Sequence, residues 1–444
     1  MKIPRTPPTR KELIQTIVRH PERFAAVLEH VNDPLVNGEY LHWDKLRHRT
    51  PPGDLTVEDW WFGLKLKREA LAKDLPLLDK SGRNFTFSLI DPLQESLHEI
   101  DSLTHGTVAM PEQITNQETK RAYIVRSLIE ESITSSQIEG ASTTKAVAKE
   151  MIRQGRPPRN RDERMIYNNY MTMQKIVELR DQPLTKELLF EIHRMVTEGT
   201  LADPTGAGRF RRPDEDIRIM DDLGDTYHVP PDARELERRV EALCAFANGV
   251  DAKPFVHPAL RSMILHFWIG YDHPFIDGNG RTARAIFYWS MLKNKYWLFE
   301  FISISEMILK SYSQYGHAYL YSETDEGDLT YFLEYHSKII HRAVKQLYDY
   351  IEDKARAAKA IQAQLKGMDA LNARQRALIS HALQHPGFHY TYESHATSHG
   401  VVLQTARTDI LGLVKRGLLK QGRKGRKLVF TPAADIERKL KATR

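Results

Sequence analysis

The sequence holds one cysteine, Cys244, in 444 residues, which excludes an internal disulfide and a multi-cysteine zinc site. No run of about 18 apolar residues occurs and mean hydropathy is −0.50, so no segment reads as a membrane-spanning helix. The N-terminus begins Met1-Lys2-Ile3-Pro4-Arg5 and continues polar, without the apolar stretch of a signal peptide. These absences set the expectation of a protein in a reducing, cytoplasmic setting. Internal repeats and low-complexity tracts are missing as well. At roughly 100–200 residues per domain, the length suggests two to four folded domains.

Charge is scarce in net terms, only +6, yet it is unevenly placed. From Asp369 to Arg444 there are 14 Lys and Arg against 5 acids, a surplus of nine that leaves −3 for the preceding 368 residues. The body is nearly neutral and the C-terminal region is basic.

The first hundred residues mix short helical patterns with turn clusters, and Phe85-Thr86-Phe87-Ser88-Leu89 alternates as a short strand. From about 113 to 355 the period is mainly helical. One interruption is not: Ile217–Met220 and Thr226–Val229 flank Asp221-Asp222-Leu223-Gly224-Asp225, the pattern of a β-hairpin. A long polar helix is expected from about Tyr331 to Lys366. The division that follows is 1–112, an N-terminal mixed domain; 113–355, a helical core; and 356–444, a linker helix with a basic module.

Leu260, Met263, Ile264, Phe267, Trp268 and Tyr271 fall on one helical face, and Ala285-Ile286-Phe287-Tyr288-Trp289 is apolar nearly all round, as in a buried helix. Between them runs His273-Pro274-Phe275-Ile276-Asp277-Gly278-Asn279-Gly280-Arg281-Thr282-Ala283-Arg284. This loop suits phosphate chemistry. Gly278 and Gly280 let the backbone turn sharply and offer its N–H groups at a helix start, where an anion is favoured. Arg281 and Arg284, three apart, can fork onto phosphate oxygens. Asp277 is a hard oxygen ligand suited to Mg²⁺, and His273 can serve as a general base near neutral pH.

The stretch resembles the Fic-domain pattern His-Pro-Phe-x-[Asp/Glu]-Gly-Asn-Gly-Arg-x-x-Arg at every fixed position. The resemblance implies transfer of AMP from ATP to a protein Ser, Thr or Tyr hydroxyl. His273 would then deprotonate the hydroxyl and Asp277 would hold Mg²⁺ between the α- and β-phosphates. Asn279 and the Gly278 and Gly280 backbone would bind the α-phosphate, and Arg281 and Arg284 the β- and γ-phosphates. Doc-type kinases have Lys where Gly280 stands, and phosphocholine-transferring relatives have Ala where Gly278 stands, so AMP transfer is favoured; UMP or another nucleotide stays open. Gly208-Arg209-Phe210-Arg211 and the 217–229 hairpin look like the family's flap, which clamps the target segment by strand addition. Gly327-Asp328-Leu329-Thr330 resembles the closing segment of the core. Tyr315 and Tyr319 stand where an adenine pocket is expected, although two tyrosines at this spacing also suit plain packing.

Val125, Leu128, Ile129 and Ile133 mark a further helix face that leads to Ser135-Ser136-Gln137-Ile138-Glu139-Gly140. Gly140 is a natural helix stop, which leaves Glu139 in the last turn, where a carboxylate is unfavourable unless a cation answers it. Ser135-x-x-x-Glu139-Gly140 matches the family's inhibitory motif. The resemblance pairs Glu139 with Arg284, has Ser135 pin the helix, and keeps the ATP γ-phosphate from seating productively.

In the basic region, helices are expected over 373–385 and 403–416, the second with Leu403, Ala406, Ile410, Leu413 and Val414 inward. Two strands with Arg423, Lys424, Arg426 and Lys427 at their tip follow. That order resembles a winged helix-turn-helix, which binds DNA or docks protein. His193, His257 and His266 sit in helical patterns and read as packed or surface histidines, and no zinc site is expected.

The whole reading is a mainly α protein: a Fic-type helical core with a β-hairpin flap and a C-terminal winged helix. The expected activity is that of an autoinhibited adenylyltransferase using ATP and Mg²⁺ on target proteins and itself. A DNA-binding regulator with the core as a nucleotide-dependent switch, and a hydrolase removing AMP, are the alternatives. A homodimer is left open.

Overall fold

A computed structural model describes residues 2–104, 117–220, 224–250, 255–365, 371–384, 387–424 and 427–442. The fold is mainly helical. Among the described residues the only sheets are three antiparallel pairs: Ala72–Leu78 with Asn84–Ser88, Ile219–Met220 with Thr226–His228, and Leu419–Lys424 with Lys427–Pro432. No described helix is long and apolar enough to cross a membrane.

The chain divides into two compact units, Met1–Leu347 and Tyr348–Arg444. At the centre of the first lie helices Pro258–Asp272 and Asn279–Lys293. Met263, Ile264, Phe267 and Trp268 of the one, and Ile286, Phe287, Tyr288 and Trp289 of the other, are at most 1% exposed. The second helix is buried all round, as its unbroken apolar run requires. Helix Gln117–Ile138 packs alongside, with Leu128, Ile129 and Ile133 buried.

The boundary expected near residue 112 does not separate two bodies. Buried polar contacts tie the first hundred residues to the segment after helix Tyr312–Thr324. Tyr40 donates to Asp328 Oδ2 at 2.5 Å, Arg68 Nη1 to the Tyr331 hydroxyl at 3.0 Å, and Lys65 pairs with Asp325 at 2.9 Å. Thr86 N donates to Gly327 O at 3.0 Å, and Leu329 N donates to Thr86 O at 2.8 Å. Charged groups this deep are stable only with such partners. The Phe85 strand pairs with Ala72–Leu78, a partner its own alternation does not reveal. Of the 217–229 hairpin, Asp221, Asp222 and Leu223 lie outside the described residues.

The second unit opens inside helix Thr330–Leu365; Lys366, its expected end, lies outside the described residues. Helices Ala373–Gln384, Tyr392–His399 and Leu403–Lys415 precede the hairpin around a core of Leu378, Ile379, Ile410, Leu413 and Phe430. The middle helix was not expected. A capping box at Thr391 and Ser394 starts it, and Gly400 at φ +59° ends it. Leu403 is 55% exposed rather than inward, beside the exposed Val402 and Gln404, and the buried face of the helix begins at Ala406. Arg426, expected at the hairpin tip, and His385 lie outside the described residues.

Candidate active site

Helix Pro258–Asp272 ends on His273, whose φ of 45° and ψ of 57° place a non-glycine residue in the left-handed region. Its backbone is held there by Arg211, which donates from Nε to His273 O at 2.8 Å. The ring hydrogen-bonds Gly270 O through Nδ1 at 3.2 Å. A carbonyl only accepts, so Nδ1 carries the hydrogen and the neutral ring keeps its lone pair on Nε2. Burial pushes the imidazole down to about 4, which outweighs the Gly270 bond; the ring is neutral at pH 7.

Asn279 staples the loop. Its Oδ1 accepts from Phe275 N at 2.9 Å and its Nδ2 donates to Phe275 O at 2.7 Å. The phosphate contact expected of this side chain is thus joined by a structural duty. Gly278 caps the motif helix at φ +80°, and a Cβ there would fall 2.6 Å from Thr197 Cγ2. Conformation and space both require glycine.

His193, set aside in the sequence as a packed histidine, supports this loop directly. Gly208 N donates to its Nδ1 at 2.9 Å, so its hydrogen is on Nε2, which donates to Asp277 O at 2.9 Å. Its ring stacks on Phe275 at 3.7 Å, and burial pushes it down to about 4.

The two motif arginines do not both reach outward. Arg281 is fully buried, donates from Nη1 to Val196 O at 2.6 Å, and leaves Nε and Nη2 without a hydrogen-bond partner. Burial lowers its affinity for its proton. Arg284, 1% exposed, donates from Nε to Ser135 Oγ at 2.8 Å and from Nη2 to Ser135 O at 2.9 Å and Glu139 Oε1 at 2.8 Å. Its Nη1 is unpartnered. Burial opposes its charge, and Glu139 more than restores it. Glu139 lies one residue past helix Gln117–Ile138, and Gly140 follows at φ +89°. A Cβ on Gly280 would stand 2.1 Å from Glu139 Oε1, so the carboxylate rests against the bare backbone of the motif helix's first turn.

Residues 183–291 match the model of the Fic/DOC family. These residues form a Fic domain.

Over the Fic motif opens a cavity of about 500 Å³ lined by Glu139, Ile217, Met220, His273, Asp277 and Gly280. Ile217 and Met220 bring the hairpin to it. Asp277, 42% exposed, faces Arg161 Nη2 at 3.4 Å and accepts from Gly278 N at 2.5 Å. Among the described residues no three His, Cys, Asp or Glu side chains come together to hold a metal. Tyr315 and Tyr319 are not part of this lining. They pack on helix Pro258–Asp272: the Tyr315 hydroxyl meets His266 Nε2 at 3.0 Å, and Tyr319 stacks on Phe267 at 4.8 Å.

One further residue escaped the sequence. Glu131, on the same helix as Ser135, is 1% exposed and accepts from Tyr288 Oη (2.9 Å), Ser303 Oγ (2.8 Å), Ser305 N (3.1 Å) and Ser305 Oγ (2.5 Å).

The Fic domain has named relatives. Protein adenylyltransferase Fic of Nematostella vectensis is 24% identical over 257 residues, 58% of this chain and 55% of that protein. The Culex quinquefasciatus protein of the same name is 24% identical over 273 residues, covering 60% and 48%. That of Drosophila grimshawi is 30% identical over 126 residues, covering 28% and 22%. The chain thus spans about half the length, or less, of these curated relatives. A crystal structure of a Fic family protein from Desulfovibrio desulfuricans G20 superposes with a TM-score of 0.52 at 17% identity, over 78% of this chain and 97% of that one. The fold is shared.

Proposed function

We propose that the chain is an autoinhibited protein adenylyltransferase, moving AMP from ATP to Ser, Thr or Tyr hydroxyls of target proteins and of itself. One observation carries the reading: Glu139 sits on Arg284 against the Gly280 backbone, while Arg281 Nε and Nη2 and Arg284 Nη1 stay buried without a hydrogen-bond partner, Asp277 Oδ1 standing 3.9 Å from Arg281 Nη2. Unpaired buried guanidinium N–H groups are costly, and an anion answers them. With Glu139 withdrawn, phosphate oxygens take its place on Arg284 and pair those groups.

The reaction follows from the residues. A target hydroxyl brought to the cavity by the hairpin gives its proton to His273 Nε2, neutral and free. Its oxygen bonds to the α-phosphorus, and the bond from that phosphorus to the bridging oxygen of pyrophosphate breaks. The helix-start N–H groups of Asn279 and Gly280 meet the charge that grows on the α-phosphate. Asp277 would hold Mg²⁺; among the described residues no three ligating side chains cluster, and an exposed carboxylate suits an ion that takes its remaining ligands from phosphates and water. When bound, the ion offsets phosphate charge. The test is incubation with labelled ATP. Glu139→Gly should label itself far faster than wild type, and equal labelling removes the brake.

A second reading concerns the other unit. Helix Leu403–Lys415 exposes Gln404, Arg407, Thr408 and Lys415, and the hairpin exposes Lys420 and Arg423, a polar and basic set suited to a DNA groove and its phosphates. We read the unit as a winged helix that binds DNA. Retention on a DNA column that survives neutralising Arg407, Lys415, Lys420 and Arg423 contradicts it.

A further inference from the structure

The hairpin over the site is short, two residues on one strand and three on the other, with Ile219 paired to His228. Such a ribbon has little stability of its own in water. Yet Ile217, just before its first strand, and Met220, at that strand's end, line the cavity beside His273. Something must fix its height.

His228 does so with both ring nitrogens. The side chain is 6% exposed and turns inward from the strand. Its Nδ1 lies 2.7 Å from Glu323 Oε2, on helix Tyr312–Thr324, and its Nε2 lies 2.7 Å from Tyr271 O, two residues before His273. The ring also rests 5.0 Å from that of Tyr271. Of the other charged groups nearby, Asp272 is already paired with Arg239 at 2.7 Å, and a charge on His228 acts with burial to keep His273 neutral. A carbonyl oxygen and a carboxylate oxygen both accept, so each ring nitrogen must donate. Only the imidazolium has two donors, and bonds from a charged donor are the stronger kind.

We propose that His228 is a positioning residue: as an imidazolium it clamps the hairpin to the Tyr271 carbonyl and the Glu323 carboxylate, and so sets the distance between the target-holding edge and His273. The inference rests on the AMP-transfer reading for its effect on rate, while the state of the ring is independent of it. His228 touches neither phosphate-binding arginines nor the motif loop. Its loss acts on the hairpin and leaves nucleotide binding alone.

Two measurements test it on the full chain. In histidine-¹⁵N-labelled protein at about pH 7.5, both His228 nitrogens should show the shifts of N–H nitrogens, the signal being assigned by its absence in His228→Gln. One unprotonated nitrogen overturns the clamp, since the proton then sits on Glu323. In the Glu139→Gly background, His228→Gln should slow self-labelling about tenfold while calorimetric affinity for ATP with Mg²⁺ stays within about twofold, as expected for loss of a charge-assisted bond outside the nucleotide site. Unchanged labelling, or ATP affinity falling in step, overturns the positioning role. If His228→Gln does not fold, Glu323→Gln keeps an acceptor oxygen and the packing. It should slow labelling about threefold and cost the ring one proton; an unchanged ring and rate count against the clamp. Should Glu139→Gly itself label nothing, the AMP-transfer reading fails, and the ring measurement still decides the clamp.

Discussion

Glu131 and Glu139 stand two turns apart at the end of one helix and are held by opposite means. Glu131 is 1% exposed and answered only by neutral donors: two serine hydroxyls, a tyrosine hydroxyl and a backbone N–H. Glu139 is 24% exposed, borders the cavity, and is answered by a guanidinium. A carboxylate fixed by four buried donors has no competitor, because no solute reaches it. A carboxylate on an arginine beside a cavity competes with any anion that enters. The helix is therefore anchored at Glu131, and under the proposed function Glu139 is the contact that would give way, a brake lifting without unfolding the core.

Glu131→Ala should have the largest effect on stability. It strands the Ser305 N–H and hydroxyl in the core and takes one acceptor each from the Tyr288 and Ser303 hydroxyls, at about 3 kcal/mol in all. Calorimetry should show a clear fall in Tm, and an unchanged Tm would place the anchor elsewhere. Glu139→Gly should do the reverse. Its stability changes by about 1 kcal/mol or less, as for a partly exposed ion pair, while self-labelling rises at least about tenfold. Adding His273→Ala to that variant should abolish labelling at unchanged ATP affinity; persistent labelling removes His273 as the base.

Acid acts on the motif loop through its histidines. His193 and His273 are each pushed down to about 4 by burial. The unfolded chain takes up protons on them below about pH 6.5 and the folded chain does not, so stability present above 6.5 declines as pH falls toward 4. Labelling by Glu139→Gly should hold its rate to about pH 5. A rate that halves near pH 6.5 would mean that His273 titrates as an exposed histidine.

What could be read in advance was local. Twelve contiguous residues carry the motif, and Ser135, Glu139 and Gly140 lie within one turn and a stop, so spacing alone exposes them. The helix after the motif announced its burial by an unbroken apolar run. What escaped depends on distant partners. Glu131 meets Ser303 and Ser305 more than 170 residues away, and His193 meets Asp277 across 84. Their side chains look like any helical Glu or His until the fold closes. Tyr315 and Tyr319 show the converse, since their helical spacing fits a pocket wall as well as the packing on His266 and Phe267 that the structure gives them. Arg281 was expected on phosphate from its place in the motif; its bond to Val196 O depends on a helix 85 residues earlier.

The most direct test of the central claim is the intact mass of wild type and Glu139→Gly after incubation with ATP and Mg²⁺. A gain of one or more AMP units is expected on the variant and little on wild type. Equal gains on both proteins, or none on a folded variant that binds ATP, would contradict the claim.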